Sequence, residues 1–219
     1  MDQASPIGSP APSRGAHGIT PPASEEAWFP ALPDEPVGLP GLIHPATTDP
    51  RPLLESHRDD VVVALDWPFI VEAAEATRTG RHRDLLELDR DYPVRRAGRW
   101  TEASFRVGRR QLARLRAARD LRAVQRYLAA VDGGEAQAWN PIVFGVALAA
   151  FNLPYRQGLL HYAGTLLRGL AERCRPPGAP VADWNAWMDC LEAPLPKAVN
   201  RLIPAAFTAP GEPGRTIGG

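Results

Sequence analysis

The chain has 219 residues, 25 basic and 25 acidic side chains, a formal net charge of zero and 44% hydrophobic residues. This is a globular composition, long enough for one domain plus an irregular arm or for two small domains. The balanced charge gives no global electrostatic pull toward nucleic acid or an anionic membrane. Two cysteines, Cys174 and Cys190, do not make a disulfide framework.

Residues 1–50 are dense in proline, with Ser, Gly and Ala filling much of the rest. They lack the periodic apolar content that offsets ordering entropy, which predicts a disordered arm. An apolar island, "AWFPALP" over residues 27–33, interrupts it. No basic stretch followed by an apolar run opens the chain, so no secretory signal is expected and a cytoplasmic location follows.

The pattern turns helical near Pro52, a first-turn position that proline favours. Val61, Val62 and Val63 have no second strand-like run to pair with, so the reading stays helical. Asp66 then resembles the N-cap of "WPFIVEAAEATRTG", with Pro68 in the first turn and Gly80 as the stop. "RHRDLLELDRDYP" predicts a short helix ended by Pro93. In "TEASFRVGRRQLARL", Thr101 can cap, and Phe105, Gly108, Leu112 and Leu115 follow one face. Gly108 on that face predicts the close approach of a neighbouring backbone. Leu121, Val124, Leu128 and Val131 repeat the design in the next helix, which Gly133 and Gly134 end.

"WNPIVFGVALAAFNLP" comes next, with Asn140 as a predicted N-cap and Pro141 at the first helical position. Its uncharged run over residues 141–151 is far short of the roughly 20 residues needed to span a membrane. Apolar around most of its circumference, it belongs in the middle of a bundle. Pro154 breaks it and begins a helix with a stripe of Leu159, Tyr162, Leu166 and Leu170. After "RPPGAP", Asp183 can cap "WNAWMDCLE", and "APLPKAVNRLIPAAF" adds a final short helix. The expected fold is all-α: a single helical bundle around the central apolar helix at residues 141–151, behind a disordered proline-rich arm.

Catalytic motifs are missing from the sequence: no GxGxxG after a strand, no Walker loop, no HExxH, no GxSxG and no Cys/His cluster with zinc spacing. His161 with Tyr162 on a core-proximal helix suits either a metal site or a base in a small enzyme, or a structural histidine. Glu72 with Glu75, Asp59 with Asp60, and Asp89 with Asp91 read as solvated faces. The arginines between Arg106 and Arg126 form a charged helix surface. It suits an acidic protein partner or, alternatively, a helical regulator that meets nucleic acid. No catalytic, cofactor or metal residue is assigned, and binding is favoured over catalysis.

Several stretches in order resemble the urease accessory protein family UreF: "LDWPFIVEAAEATRTG", "LLELDRDYPVRRAGRWTEASFRVGRRQLARL", "NPIVFGVALAAFNLPYRQGLLHYAGTLLRGL" and "VNRLIP". Glu102, Ala103, Ser104, Gly108, Arg109, Arg110 and Leu112 match the family's Glu-Ala-Ser…Gly-Arg-Arg helix. Phe144 and Gly145 match its "VVFG" helix, and Arg201, Leu202, Ile203 and Pro204 its final motif. Thr101 stands where the family has Arg, and Asn140 where it has His. Ala-Ala-Phe follows Pro204 in place of Leu-Gly-Gln, and "RPPGAPVADWNAWMDCLEAPLP" is similar to an insertion. The family's N-terminal helix motif is not recognisable, and the proline-rich arm occupies its place.

The resemblance implies a UreF-like all-α domain over residues 51–207, between the arm of residues 1–50 and a flexible tail of residues 208–219. It implies a non-catalytic homodimer without a cofactor of its own. Its implied partners are the D/H-type accessory protein, the G-type GTPase that it regulates, and apo-urease, to which the assembly delivers nickel. Glu102, Ser104, Arg106, Arg109, Arg110 and Arg201 are the expected partner-binding residues.

Overall fold

The computed structural model describes residues 49–96, 101–176 and 178–203, with Thr101 described by its backbone alone. They fall within one compact unit. The arm as far as residue 48, the apolar island within it, the Thr101 side chain, residues 204–207 and the tail lie outside the described residues.

The described residues form an all-α fold: α1 (Arg51–Ser56), a π-helical segment (His57–Asp66), α2 (Trp67–Arg78), α3 (His82–Arg96), α4 (Thr101–Leu115), α5 (Arg122–Asp132), α6 (Asn140–Ala150), α7 (Tyr155–Cys174), α8 (Val181–Glu192) and α9 (Leu195–Leu202). None of these helices is long and apolar enough to cross a membrane.

The first three segments run on without a break. Asp66 is not an N-cap: it has helical dihedrals, φ −63° and ψ −44°, and its side chain makes no capping bond. The helix enters Pro68 through wide turns, the Trp67 amide reaching the carbonyl of Val62 five residues back. Proline lacks an N–H, and its ring crowds the carbonyl four residues before it; wider turns move that carbonyl aside. The helix therefore passes through a proline whose local sequence has the form of a helix start.

Pro93 likewise fails to stop α3, which continues to Arg96. A residue at this position would normally donate its amide to the carbonyl of Asp89. Here the indole Nε1 of Trp139 donates to that carbonyl at 2.8 Å. The acceptor that proline leaves open is satisfied from another part of the chain, which removes much of the penalty.

α6 occupies the centre, packed chiefly on α2 and α4 and also touching α3 and α5. Every residue from Asn140 to Leu148 is buried. Two glycines set how closely its neighbours approach. A Cβ on Gly145 would lie 2.4 Å from the Ile70 carbonyl oxygen and 2.8 Å from the Ala73 Cβ. One on Gly108 would lie 2.0 Å from the carbonyl oxygen of Ala138, just before α6, so the expected close backbone approach is realised. The cap is shifted by one residue: Trp139 is the extended N-cap residue, and Asn140 is already helical. α8 also begins earlier than expected, behind Pro180, which leaves Asp183 exposed in the first turn without a capping bond.

Gly145→Ala forces Cβ into the backbone of α2. We expect a net loss of about 1–3 kcal/mol from overpacking, despite alanine's better helix propensity. A urea melt followed by circular dichroism measures it, and an unchanged midpoint would contradict the close approach.

Candidate functional site

Two buried carboxylates organise the interior. Asp66, 0% exposed, accepts hydrogen bonds from the Tyr162 hydroxyl at 2.7 Å, the Tyr92 hydroxyl at 2.8 Å and Arg96 Nη1 at 3.2 Å. Arg96 Nη1 also donates to the Tyr92 hydroxyl. Asn140 Nδ2 donates to the Tyr162 hydroxyl at 3.3 Å, bringing in α6. One carboxylate thus ties the end of the π segment to α3 and α7 directly, and to α6 through a tyrosine. Burial pushes the Asp66 carboxyl above the usual carboxylate range, with Arg96 and Tyr162 partly offsetting it. Burial and the Asp66 charge hold the Tyr162 hydroxyl far above its ordinary range.

His57 is buried at the start of the π segment. Burial, aided by the Arg96 charge, lowers its pKa to about 3, so the ring is neutral at physiological pH. Its neighbourhood already holds one buried cation, and a second would be strongly disfavoured.

Asp89 on α3 is the second hub. It reads as solvated in the sequence, but it is buried, because its partners come from elsewhere in the chain. Its carboxylate accepts from the Tyr127 hydroxyl on α5 and from the amides of Gln137 and Ala138, the latter at 3.0 Å. These bonds hold the turn before α6, where Ala138 takes a positive φ of 65°. Asp91 on the same helix is exposed, as are Asp59 and Asp60. Glu72 is also exposed, whereas Glu75 bonds Arg78 Nη2 at 2.6 Å and the Tyr155 hydroxyl at 2.9 Å.

The expected partner-binding residues divide by face. Glu102, Arg106, Arg109 and Arg110 lie on the exposed side of α4. Glu102 and Arg106 form an ion pair one turn apart, and Arg109 lies over the Phe105 ring, 5.0 Å from its centroid. Ser104 points inward, 4% exposed, and accepts from the Asn140 amide at 3.2 Å. Arg201 is exposed on α9, which packs on α7 rather than on α4.

His161 is half-buried, with Thr165 Oγ1 3.5 Å from its Nε2, while Tyr162 belongs to the Asp66 network. Among the described residues, no group of three or more His, Cys, Asp or Glu is placed to hold a metal ion. Cys174 and Cys190 are free thiols, and burial raises the Cys174 pKa, with Arg173 partly offsetting it.

A sequence signal for the hubs does exist. Leu85, Asp89, Tyr92 and Arg96 share one face of α3, and Val62, Asp66 and Ile70 stand at four-residue intervals along the preceding helix. A carboxylate within an apolar stripe is the mark of a buried, partnered charge.

The arrangement is that of a helical bundle. Its buried polar groups join helices, and its charge is displayed on an outer helix face. Residues 53–174, more than half of the chain, match UreF, and the chain belongs to the UreF family. This is a family of urease accessory proteins, generally non-catalytic, which serve nickel insertion during urease maturation together with other accessory proteins. No curated protein and no solved structure matches the chain.

Breaking the Asp66–Arg96 pair leaves a buried charge uncompensated. Asp66→Asn is expected to cost about 3–5 kcal/mol, and adding Arg96→Met should recover part of it. Urea denaturation of the two single variants and the double variant tests the coupling; additive losses would refute it.

His57 sets a pH dependence with a definite sign. Its folded pKa of about 3 lies below the unfolded value of 6.5, so between these values the unfolded state binds more protons. The His57 contribution is complete above pH 6.5 and is lost as pH falls toward 3. The urea midpoint should drop between pH 7 and pH 5, and His57→Gln should flatten that slope.

Proposed function

We propose that the chain is a non-catalytic scaffold of a urease maturation complex. It acts in the cytoplasm as a homodimer, binding the D/H-type accessory protein and regulating the G-type GTPase, while the assembly delivers nickel to apo-urease. The UreF-like domain spans residues 51–207, between an arm over residues 1–50 and a tail over residues 208–219.

The observation that carries this reading is the family match over residues 53–174, which includes all of α4. α4 is suited to partner contact. Its inner face is anchored by Gly108 and Leu112, while Glu102, Arg106, Arg109 and Arg110 face outward. A surface on a backbone already fixed by packing loses less freedom on binding. Arg201 adds a second exposed contact on α9.

Affinity purification of the full chain co-expressed with the D/H-type and G-type proteins tests the reading. Both partners should be retained. Arg109→Glu with Arg110→Glu should weaken retention at least tenfold, about 1.4 kcal/mol, with an unchanged melting temperature. Failure of the unaltered chain to retain either partner, or normal urease activation in a deletion strain, would sink the proposal.

A further inference from the structure

The exposed arginines of α4 and α5 are arranged differently from Arg83 and Arg90 of α3. Over residues 83–91 of α3 arginine alternates with carboxylates, Arg83 beside Asp84 and Glu87 and Arg90 between Asp89 and Asp91. Other arginines are neutralised within the chain: Arg78 by Glu75, Arg81 by Asp84 and Arg168 by Glu192. From α4 through α5, eight arginines at positions 106, 109, 110, 114, 116, 119, 122 and 126 meet three carboxylates, Glu102, Asp120 and Asp132. All eight are exposed.

Glu102 is engaged by Arg106, and the Asp132 carboxylate accepts from both terminal nitrogens, Nη1 and Nη2, of Arg116 at 3.0 Å. That second contact joins the end of α4 to the end of α5. Arg114, Arg119, Arg122 and Arg126 make no salt bridge among the described residues. The backbone beneath is held by buried Leu112, Val124 and Leu128. A concentration of like charge on a fixed surface, in a chain of zero net charge, costs self-repulsion that packing does not require.

We propose that this arginine ridge is the docking surface for an acidic segment of a partner protein. The inference names the chemistry of the partner and rests on the scaffold reading for there being one. Guanidinium forks match carboxylates two at a time. A continuous phosphate backbone fits less well. Asp120 interrupts the ridge, and Phe105, the aromatic side chain on α4, is covered by Arg109 rather than open for base stacking.

The test uses the full chain and a labelled (Glu-Ala)6 peptide, with (Gln-Ala)6 and a 20-base-pair DNA duplex as comparison probes, followed by fluorescence anisotropy. The acidic peptide should bind at low salt and weaken about tenfold or more when salt shortens the screening length. Arg114→Glu/Arg122→Glu/Arg126→Glu should abolish binding, whereas Arg83→Glu/Arg90→Glu on α3 should leave it within about twofold. Melting temperatures of the variants are compared, and the Gln triple variant replaces the Glu one if the latter misfolds. Equal peptide binding by the ridge variant, no binding by the unaltered chain, or tighter binding of the duplex would overturn the proposal. Loss of the D/H-type partner by the unaltered chain, with ridge-dependent peptide binding intact, would overturn the scaffold reading alone.

Discussion

The bundle depends on the carboxylate of Asp66. Taking a carboxylate fully out of water costs several kcal/mol, and it persists only where donors replace the lost hydration. Tyr92, Arg96 and Tyr162 supply them, and Asn140 extends the network to the central helix. Tyr92 and Arg96 come from α3 and Tyr162 from α7, so the cost is offset only when both helices have docked on the first long helix. Apolar packing holds these helices together, and the carboxylate adds hydrogen bonds from α3 and α7 to the end of the π segment.

Asp89 performs the matching task at the other end of α6. Its carboxylate fixes the turn at Gln137 and Ala138, and its backbone carbonyl accepts the Trp139 indole. Both bonds place Trp139 and Asn140, so that Asn140 reaches Ser104 on one side and Tyr162 on the other. The two hubs are therefore joined through α6. Gly108 and Gly145 permit the backbone contacts on which that placement relies. A rigid interior of this kind leaves the outer face of α4 and α5 as a fixed display of charge.

Much of the fold was legible in sequence. The stripe on α7 and the inner face of α4 follow from a 3.6-residue period, and the burial of α6 from its lack of any charge. Gly108 was legible because a glycine on an apolar helix face has few other uses. The local sequence misleads at both carboxylates for a shared reason. Asp66 before Trp67-Pro68 has the local form of a cap, and Asp89 in "LDRDYP" that of a solvated face. Their partners stand 26, 30 and 96 residues away for Asp66, and 38 to 50 residues away for Asp89. Pro93 misleads in the same way, since the donor that replaces its missing N–H lies at the turn before α6.

By itself the sequence determined the helices, their apolar faces and the family, because these are local or ordered patterns along one chain. Only the tertiary structure decided which acidic groups are buried, which prolines a helix passes through, and which arginines stand without a carboxylate. Those outcomes depend on desolvation and on donors brought together from distant segments, and neither exists until the helices have packed.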